Sequence, residues 1–416
     1  TSLEQAEELA LKQNPGIQSA QLRWRSALEK IPQAEAFPDP KASYTYYIES
    51  VETRVGPQEQ AFALQQTLPW FGKRGLRGQV AAARAEAAKQ ALEQTRLDVL
   101  YQVRDAYYDL YFLQRSVNIT EKNLELLTVL EETAQSRYKT GGPMLPLVQL
   151  QTELGKLADR ISTLRAMRPA YVARLNALLN RPETAEIAGP TEIPDARLEL
   201  DEAELRRRLQ QQSPALNRLQ QQAEGFARSE TLARKDRWPD ITLGVKYIDT
   251  GDALGSGTSG SGTDPVMATV SVNLPIWSSK YSAAETEAAL ARQAMLAEKS
   301  ELRNSLEARL ATALFHYHDA ERKIDLYRDT LIPKAEQALN VARQAFEGGE
   351  ADFISLIDAE RMWLEFELQH ERARSERARQ HALIEKIVGT PLSNNNQSGA
   401  VGNQKEENKT QGATTR

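Results

Sequence analysis

The two halves of the 416-residue chain, residues 1–190 and 199–390, carry the same sequence features in the same order. Each half has a polar helical stretch, then two strand-like runs after a Pro-Asp pair, then a very long helical stretch that ends at paired glycines. The separation between matching positions grows steadily from 199 to 209, at Pro15 and Pro214, Pro38 and Pro239, Leu68 and Leu274, and Leu147 and Leu356. Such a drift indicates small insertions in a duplicated unit, so function is to be sought in two pseudo-equivalent halves.

The composition excludes several functional classes. Charged residues make up 26% of the chain and aromatic residues only 6%, and the mean hydropathy is −0.54, which is typical of long solvated helices. The net charge is −5 and the sequence contains no stripe of basic residues, so no nucleic-acid partner is expected. The lack of cysteine excludes disulfides and thiolate chemistry. The sequence contains no run of 18 apolar residues, so no transmembrane helix is predicted.

Helical periodicity predicts three helices in each repeat. They span 2–36, 73–139 and 147–180 in the first repeat, and 199–236, 279–347 and 353–388 in the second. The helices at 73–139 and 279–347 would each be about 100 Å long. Pro333 lies inside one of them, where it removes a backbone donor and predicts a kink. Residues 191–198 are predicted to be a linker, and the polar tail at 391–416 is predicted to be disordered.

Four strands are predicted, at 39–50 and 58–70 in the first repeat and at 239–250 and 265–277 in the second. Their length matches that of a tilted strand that crosses a bilayer. An open sheet of four strands would leave two edges unsatisfied in hydrocarbon, so other copies of the chain must complete it. Three copies give twelve strands, an even number within the known range of membrane barrels. Soluble hairpins packed on the helices are the alternative.

The ordered set of motifs resembles the TolC-like outer-membrane factors, the exit ducts of tripartite efflux pumps and type I secretion systems. The resemblance covers about residues 1–390 and rests on the duplication, on Leu68-Pro69 and Leu274-Pro275 at the strand-to-helix junctions, and on the Leu-Ile-Asp-Ala-Glu run at 356–360 that follows the glycine turn.

The resemblance implies a mainly α fold with a transmembrane β-barrel portion. A long α-helical coiled-coil barrel would lie in the periplasm, and four strands per chain would contribute to a twelve-stranded barrel of a homotrimer in the outer membrane. The implied partners are outer-membrane lipid, a periplasmic adaptor and an inner-membrane pump.

The run LPWFGKRGLR at 68–77 is similar to members that serve heavy-metal resistance, the CusC and CzcC type. Those members often carry an acylated N-terminal cysteine, which this chain lacks. No signal peptide is recognisable, and the direct start in a helix is compatible with a processed export precursor.

Asp358 matches the inner aspartate of the family's tip motif, and the corresponding position in the first repeat is Gln149. Around a threefold axis Asp358 would form an acidic ring that favours cations; a solvated helix carboxylate is the alternative. Glu350 and Asp352, beside Gly348 and Gly349, could extend the acidic tip or dock an adaptor, or form an ordinary charged loop.

The turn of the first repeat contains Gly141, Gly142, Met144 and Leu145 and carries no charge. Its glycines and prolines predict a tight helix reversal, and exposed Met144 and Leu145 would suggest a contact surface. In drug-exporting members a tyrosine and an arginine latch the tip. Phe346 and Ala351 occupy those positions here, so a closed tip must be held by other contacts.

No constellation of catalytic or metal-binding residues is recognisable, so neither an enzyme nor a cofactor is expected. His316 and His318 are two positions apart on a helix and point to different sides. The predicted function is a passive export duct, whose cargo the sequence does not identify. The alternative is a periplasmic coiled-coil adaptor or scaffold protein of an export complex.

Overall fold

The computed structural model describes residues 2–195, 197–348 and 353–392. In the first repeat the chain forms helices α1 (Leu3–Gln13), α2 (Pro15–Leu28) and α3 (Lys30–Glu35), strands β1 (Lys41–Thr53) and β2 (Gly56–Leu68), and helices α4 (Lys73–Lys139) and α5 (Leu145–Leu178). The second repeat forms α6 (Glu202–Gln212), α7 (Pro214–Lys235), β3 (Ile241–Thr250), β4 (Val266–Val272), α8 (Ser278–Leu326), α9 (Ile332–Gly348) and α10 (Phe353–Val388). The same order of elements in both halves agrees with the predicted duplication.

The chain forms two compact units, and both repeats contribute to each. The first unit contains residues up to Asn14, Arg96–Ser213 and the segment from Ser305 onward. The second contains Pro15–Thr95 and Pro214–Asn304. The sheet lies in the second unit, whereas the glycine turn of the first repeat and Gly348 lie in the first. None of the described helices is long and apolar enough to span a membrane.

The helices predicted at 2–36 and 199–236 are not continuous. The first is divided into α1, α2 and α3, and the second into α6 and α7. Asn14 and Ser213 precede the prolines at which α2 and α7 begin, and both have extended backbone angles, with ψ of 123° and 116°. A residue before proline avoids helical angles, which explains why both repeats break at the same place.

The helix predicted at 279–347 is interrupted by a π-helical turn at Tyr327–Leu331. There the amide of Ile332 donates to the carbonyl of Tyr327, five residues earlier. Pro333 follows directly and has no amide to donate to the carbonyl of Asp329. The π-helical turn accommodates this missing hydrogen bond at the place where the sequence predicts a kink.

The four strands form one antiparallel sheet in the order β1-β2-β3-β4. Strand β1 continues to Thr53, beyond the end of the predicted range 39–50. Strand β4 covers only Val266–Val272 of the predicted range 265–277. β4 ends early because the Asn273 side chain accepts a hydrogen bond from the amide of Asp240, and Pro275 has no amide for a ladder. The β1–β2 turn needs Gly56, since its φ is +135° and a Cβ would lie 1.7 Å from the carbonyl oxygen of Gly251.

Candidate functional site

The glycine turn of the first repeat reverses the chain between α4 and α5. Gly141 has a φ of +95°, and the amide of Gly142 donates to the carbonyl of Arg137 at 2.9 Å. Met144 and Leu145 follow this turn with more than half of their surface exposed. The turn therefore presents two uncovered apolar side chains at the end of the long helix, as the sequence suggests.

The corresponding turn of the second repeat follows Gly348, the last residue of α9. Gly349, Glu350, Ala351 and Asp352, which the sequence singles out, lie outside the described residues. On either side of this gap Phe346 and Phe353 are buried, and their ring centroids are 5.7 Å apart.

Arg137, near the end of α4, contacts the end of α9 within the first unit. Its guanidinium lies 4.9 Å from the ring centroid of Phe346, and it also donates to the backbone carbonyl of Glu347. A cation over an aromatic face contributes about 0.5–1 kcal/mol at an exposed site. Phe346, which cannot serve as a tyrosine latch, thus takes part in a different contact that the sequence does not reveal.

Asp358 and Gln149 line the same groove between α5 and α10, with a volume of about 360 Å³. The Asp358 side chain is 67% exposed, and its carboxylate lies 4.0 Å from the guanidinium of Arg361. The groove also contains Glu153, which accepts hydrogen bonds from Arg361 at 2.6 and 3.1 Å and from Lys156 at 3.2 Å. The hydrogen bond from Arg361 lowers the pKa of Glu153 most strongly.

Glu360, the neighbour of Arg361, faces the opposite way and is only 1% exposed. The amide of Asn123, on α4, donates to Oε1 of Glu360, while Oε2 has no hydrogen-bond partner among the described residues. Burial raises the pKa of Glu360 to about 7, and the nearby charge of Glu153 adds to this effect. Sequence reasoning missed this carboxyl, although it lies four residues from both Leu356 and Leu364 and so falls on the apolar stripe of α10.

Glu371 is a second buried carboxyl of α10, with a different environment. It accepts hydrogen bonds from the hydroxyl of Tyr111 at 2.7 Å and from Arg115 at 2.8 Å, and Arg374 lies at 3.3 Å. Burial alone would raise its pKa, but these hydrogen bonds and charges outweigh burial and lower it. Glu371 is therefore a satisfied structural group, whereas Glu360 is not.

The sheet in the second unit has one apolar and one polar face. A register row of β1, β2 and β3 places Tyr44, Phe62 and Tyr247 side by side. The same face of all four strands carries mostly exposed apolar side chains, among them Tyr46, Ile48, Leu64, Leu243, Val245, Val266, Val270 and Val272. The opposite face carries mainly small and polar residues: Ser43, Thr45, Ala63, Gln65, Thr242, Gly244, Lys246, Thr269 and Ser271.

This sheet and the duplicated helices agree with comparisons to known proteins. The profile of one family, described as outer membrane efflux protein, matches residues 7–181 and 205–390. The chain belongs to the outer membrane efflux protein family. The two matched ranges agree with the duplication in the sequence.

Similarity to individual members extends over most of the chain. The cobalt-zinc-cadmium resistance protein CzcC of Cupriavidus metallidurans is 22% identical over 396 residues, which are 93% of this chain and 90% of that protein. The outer-membrane channel OprN has a similar fold, with a TM-score of 0.76, 22% identity and coverage of 94% of this chain and 90% of that one. The outer membrane protein VceC of Vibrio cholerae matches with a TM-score of 0.77, 18% identity and coverage of 94% and 97%.

The predicted function as an exit duct is thereby confirmed: proteins of this family are outer-membrane exit channels of tripartite efflux systems. The family consists of channels rather than enzymes. The alternative of a coiled-coil adaptor is set aside, because the matches extend through both repeats and include the strands.

Proposed function

We propose that three copies of the chain share one twelve-stranded barrel in the outer membrane, with the long helices in the periplasm. The observation that carries the proposal is the two-faced open sheet. Among the described residues, β1 pairs only with β2, and β4 pairs only with β3. Hydrocarbon does not tolerate such unpaired edges, and closure with further copies would satisfy them.

The apolar face of the sheet suits lipid, and its polar face suits a water-filled lumen. The row formed by Tyr44, Phe62 and Tyr247 would be an aromatic girdle at one side of the membrane. At the other end of the strands Trp70 stacks on Trp238, with ring centroids 5.3 Å apart. From Phe62 to the end of β2 at Leu68 the strand rises about 20 Å, and Trp70 follows two residues later, so that the row and the tryptophans would flank most of the apolar band of such barrels.

Adjacent residues of β4 allow a matched test of this orientation. Val270 is 70% exposed on the apolar face, whereas Thr269 points to the polar face. We expect Val270→Lys to reduce strongly the yield of assembled trimers in outer membranes, because a lysine on the lipid face costs about 2–4 kcal/mol per copy at mid-depth. Thr269→Lys should assemble normally and change channel conductance.

The measurements are the mass of the detergent-solubilised protein and its conductance in planar bilayers. Three copies per particle, with the expected difference between the two variants, would support the shared barrel. A folded monomer with all four strands in place, or equal effects of Val270→Lys and Thr269→Lys, would contradict it.

We further propose that the duct serves a heavy-metal efflux system and works with a periplasmic adaptor and an inner-membrane pump. The similarity to CzcC, a cobalt-zinc-cadmium resistance protein, supports this cargo. The exposed Met144 and Leu145, together with Gly141, Gly142, Gly348 and Gly349, would form the end that the adaptor contacts.

In this proposal Asp358 lines the narrow periplasmic end of the duct, beside Gln149, and favours cations. We expect Asp358→Asn to reduce cation selectivity and to weaken block by Zn²⁺, with little loss of trimer stability. The difference should grow at low salt, because exposed charges are screened over about 10 Å at 0.1 M. Its neighbour Arg361, at 4.0 Å, would limit the effect to a modest one.

The measurement is the reversal potential of single channels across a salt gradient. Asp159→Asn, which removes an exposed carboxylate from the middle of α5, is the matched control. If Asp358→Asn behaves like this control at low salt, Asp358 is an ordinary surface carboxylate. The selectivity would then be sought at Glu350 and Asp352.

A further inference from the structure

A pocket of about 610 Å³ lies where the strands of the first repeat give way to α4. Its apolar wall contains Trp70 together with Leu68 and Ile241, the last register pair of β2 and β3. Leu68 and Ile241 are an even number of positions from Leu64 and Leu243, so they continue the apolar face of the sheet. The pocket therefore adjoins the end of the surface that is proposed above to face lipid.

The wall of the pocket nearest α4 carries two charges of opposite sign. The guanidinium of Arg74, in the first turn of α4, lies 3.4 Å from the ring centroid of Phe37, and its Nε donates to the carbonyl of Glu35 at 2.7 Å. The Glu35 carboxylate lies against Gly78, where an added Cβ would be 2.2 Å from Oε1. Gly78 follows Arg74 by about one helical turn, so the two charges are placed side by side along α4.

Both charges retain unused hydrogen-bonding capacity. Among the residues that the structure describes, neither Nη atom of Arg74 has a hydrogen-bond partner, and the Glu35 carboxylate forms neither a hydrogen bond nor an ion pair. Gly75, between them, has no side chain, and an added Cβ would meet no atom within 4 Å. A donor group and an acceptor group thus face open space beside an apolar wall.

We infer that this pocket binds a phospholipid with a phosphoethanolamine headgroup, in the leaflet next to the helices. The phosphate would accept hydrogen bonds from the free Nη atoms of Arg74, the primary ammonium would donate to Glu35, and an acyl chain would lie on the wall formed by Leu68 and Ile241. The inference rests on the membrane orientation of the sheet proposed above.

Charge complementarity favours this headgroup over others. An anionic headgroup without an ammonium would place a second negative charge beside Glu35. A quaternary ammonium, as in phosphatidylcholine, has no N–H group to donate to the carboxylate. The stacked Trp70 and Trp238 support the depth of the site, since tryptophan is enriched at the level of lipid headgroups.

The second repeat supplies a natural comparison. The strand ends of the two repeats are separated by 201 at Pro38 and Pro239 and by 206 at Leu68 and Leu274. With these separations Glu35 corresponds to Asp236 and Arg74 corresponds to Lys280.

The acidic member of the second pair is already engaged, because the Asp236 carboxylate lies 3.7 Å from the buried ammonium of Lys73. The two unused charges of opposite sign are therefore a feature of the first repeat. Lys280, which is exposed, provides a matched control for Arg74.

Native mass spectrometry of the detergent-solubilised full chain measures the binding directly. The protein is freed of lipid and titrated with phosphatidylethanolamine, phosphatidylcholine and phosphatidylglycerol that carry the same acyl chains. We expect phosphatidylethanolamine to bind about tenfold more tightly than the other two, because only it satisfies both charges. Free phosphoethanolamine at the same concentration should not compete, since it lacks the acyl chains that contact the apolar wall.

Four variants assign this preference to the pocket. Arg74→Gln should weaken the binding of phosphatidylethanolamine about tenfold, and Arg74→Lys, which keeps the charge, should weaken it less. Glu35→Gln should abolish the preference for phosphatidylethanolamine over phosphatidylcholine. Gly75→Leu fills the pocket without a clash in the fold and should weaken the binding of all three lipids there. Lys280→Gln, the control, should behave like the natural chain.

The outcomes separate this site from the shared barrel. A preference for phosphatidylethanolamine that the changes at Arg74, Glu35 and Gly75 reduce, and that Lys280→Gln retains, supports the site. Equal binding of the three lipids by assembled trimers, or equal effects of Arg74→Gln and Lys280→Gln, overturns the site and leaves the barrel intact. A folded monomer that binds none of the lipids would contradict the barrel as well as the site.

Discussion

Replacement of Glu360 by glutamine is expected to stabilise the protein at neutral and alkaline pH and to leave it unchanged at acid pH. The Glu360 carboxyl is 1% exposed and only one of its oxygens is hydrogen-bonded by the described residues, so the fold favours its neutral form. Its pKa rises from 4.5 to about 7 because of burial. A glutamine keeps the shape and the hydrogen bond to Asn123 without a titratable proton.

The pH window follows from the direction of this shift. Below about pH 4.5 the carboxyl is protonated in both the folded and the unfolded chain, and Glu360 does not lower the free energy of unfolding. As the pH rises towards 7, only the unfolded chain ionises freely, so stability is lost until the folded pKa is passed. A shift of this size corresponds to about 3 kcal/mol above pH 7, since one pKa unit is about 1.4 kcal/mol.

The measurement is the thermal midpoint of the helical circular dichroism signal between pH 4 and pH 9, in detergent. We expect Glu360→Gln to exceed the natural chain by several degrees at pH 8 and to equal it at pH 4. Glu365→Gln, an exposed position on the same helix, should follow the natural chain throughout. Parallel profiles for Glu360→Gln and the natural chain would mean that Glu360 is already ionised in the fold.

The fold was predictable where local patterns specify it. The four strands were predicted close to their observed ranges, and the two faces of the sheet follow from them, because side chains of a strand point alternately to its two sides. The long helices followed from their periodicity. The breaks at Asn14 and Ser213 were missed although both residues precede a proline, which is a recognisable signal in the sequence.

The candidate site was predictable only in part. The repeat alignment paired Asp358 with Gln149, and the structure places both in one groove. The contacts of Asn123 with Glu360 and of Arg137 with Phe346 join residues more than 200 positions apart. A single sequence carries no signal for such pairs, since nothing in the local periodicity of α4 identifies which residues of α9 or α10 it meets.

A second large effect is expected at the junction of β2 with α4, where Lys73 is only 2% exposed. Its ammonium lies 2.8 Å from Oδ1 of Asp240 and 2.8 Å from the carbonyl oxygen of Trp238. The same oxygen of Asp240 accepts the amide of Trp70 at 2.8 Å. One carboxylate thus satisfies a buried cation and a backbone donor at the point where a strand becomes a helix.

Removal of either partner should have unequal consequences. Asp240→Ala leaves the buried ammonium with only the more distant carboxylate of Asp236 and is expected to cost about 3 kcal/mol. Lys73→Met removes the buried charge and keeps the volume, and it should cost less because the Asp240 carboxylate that remains is 25% exposed. Asp236, whose carboxylate is 3.7 Å from Lys73 and 40% exposed, provides the control. Asp236→Ala should cost less than about 1 kcal/mol.

The decisive variant combines Asp240→Ala with Lys73→Met. Once the cation is gone, the loss of the carboxylate leaves only the amide of Trp70 without its acceptor, so the double variant should be more stable than Asp240→Ala alone. Urea unfolding of the natural chain, the single variants and the double variant is followed by tryptophan fluorescence, since Trp70 and Trp238 lie beside the site. If the effects of the two substitutions simply add, Lys73 and Asp240 do not interact, and the stability of this junction comes from the stacked tryptophans instead.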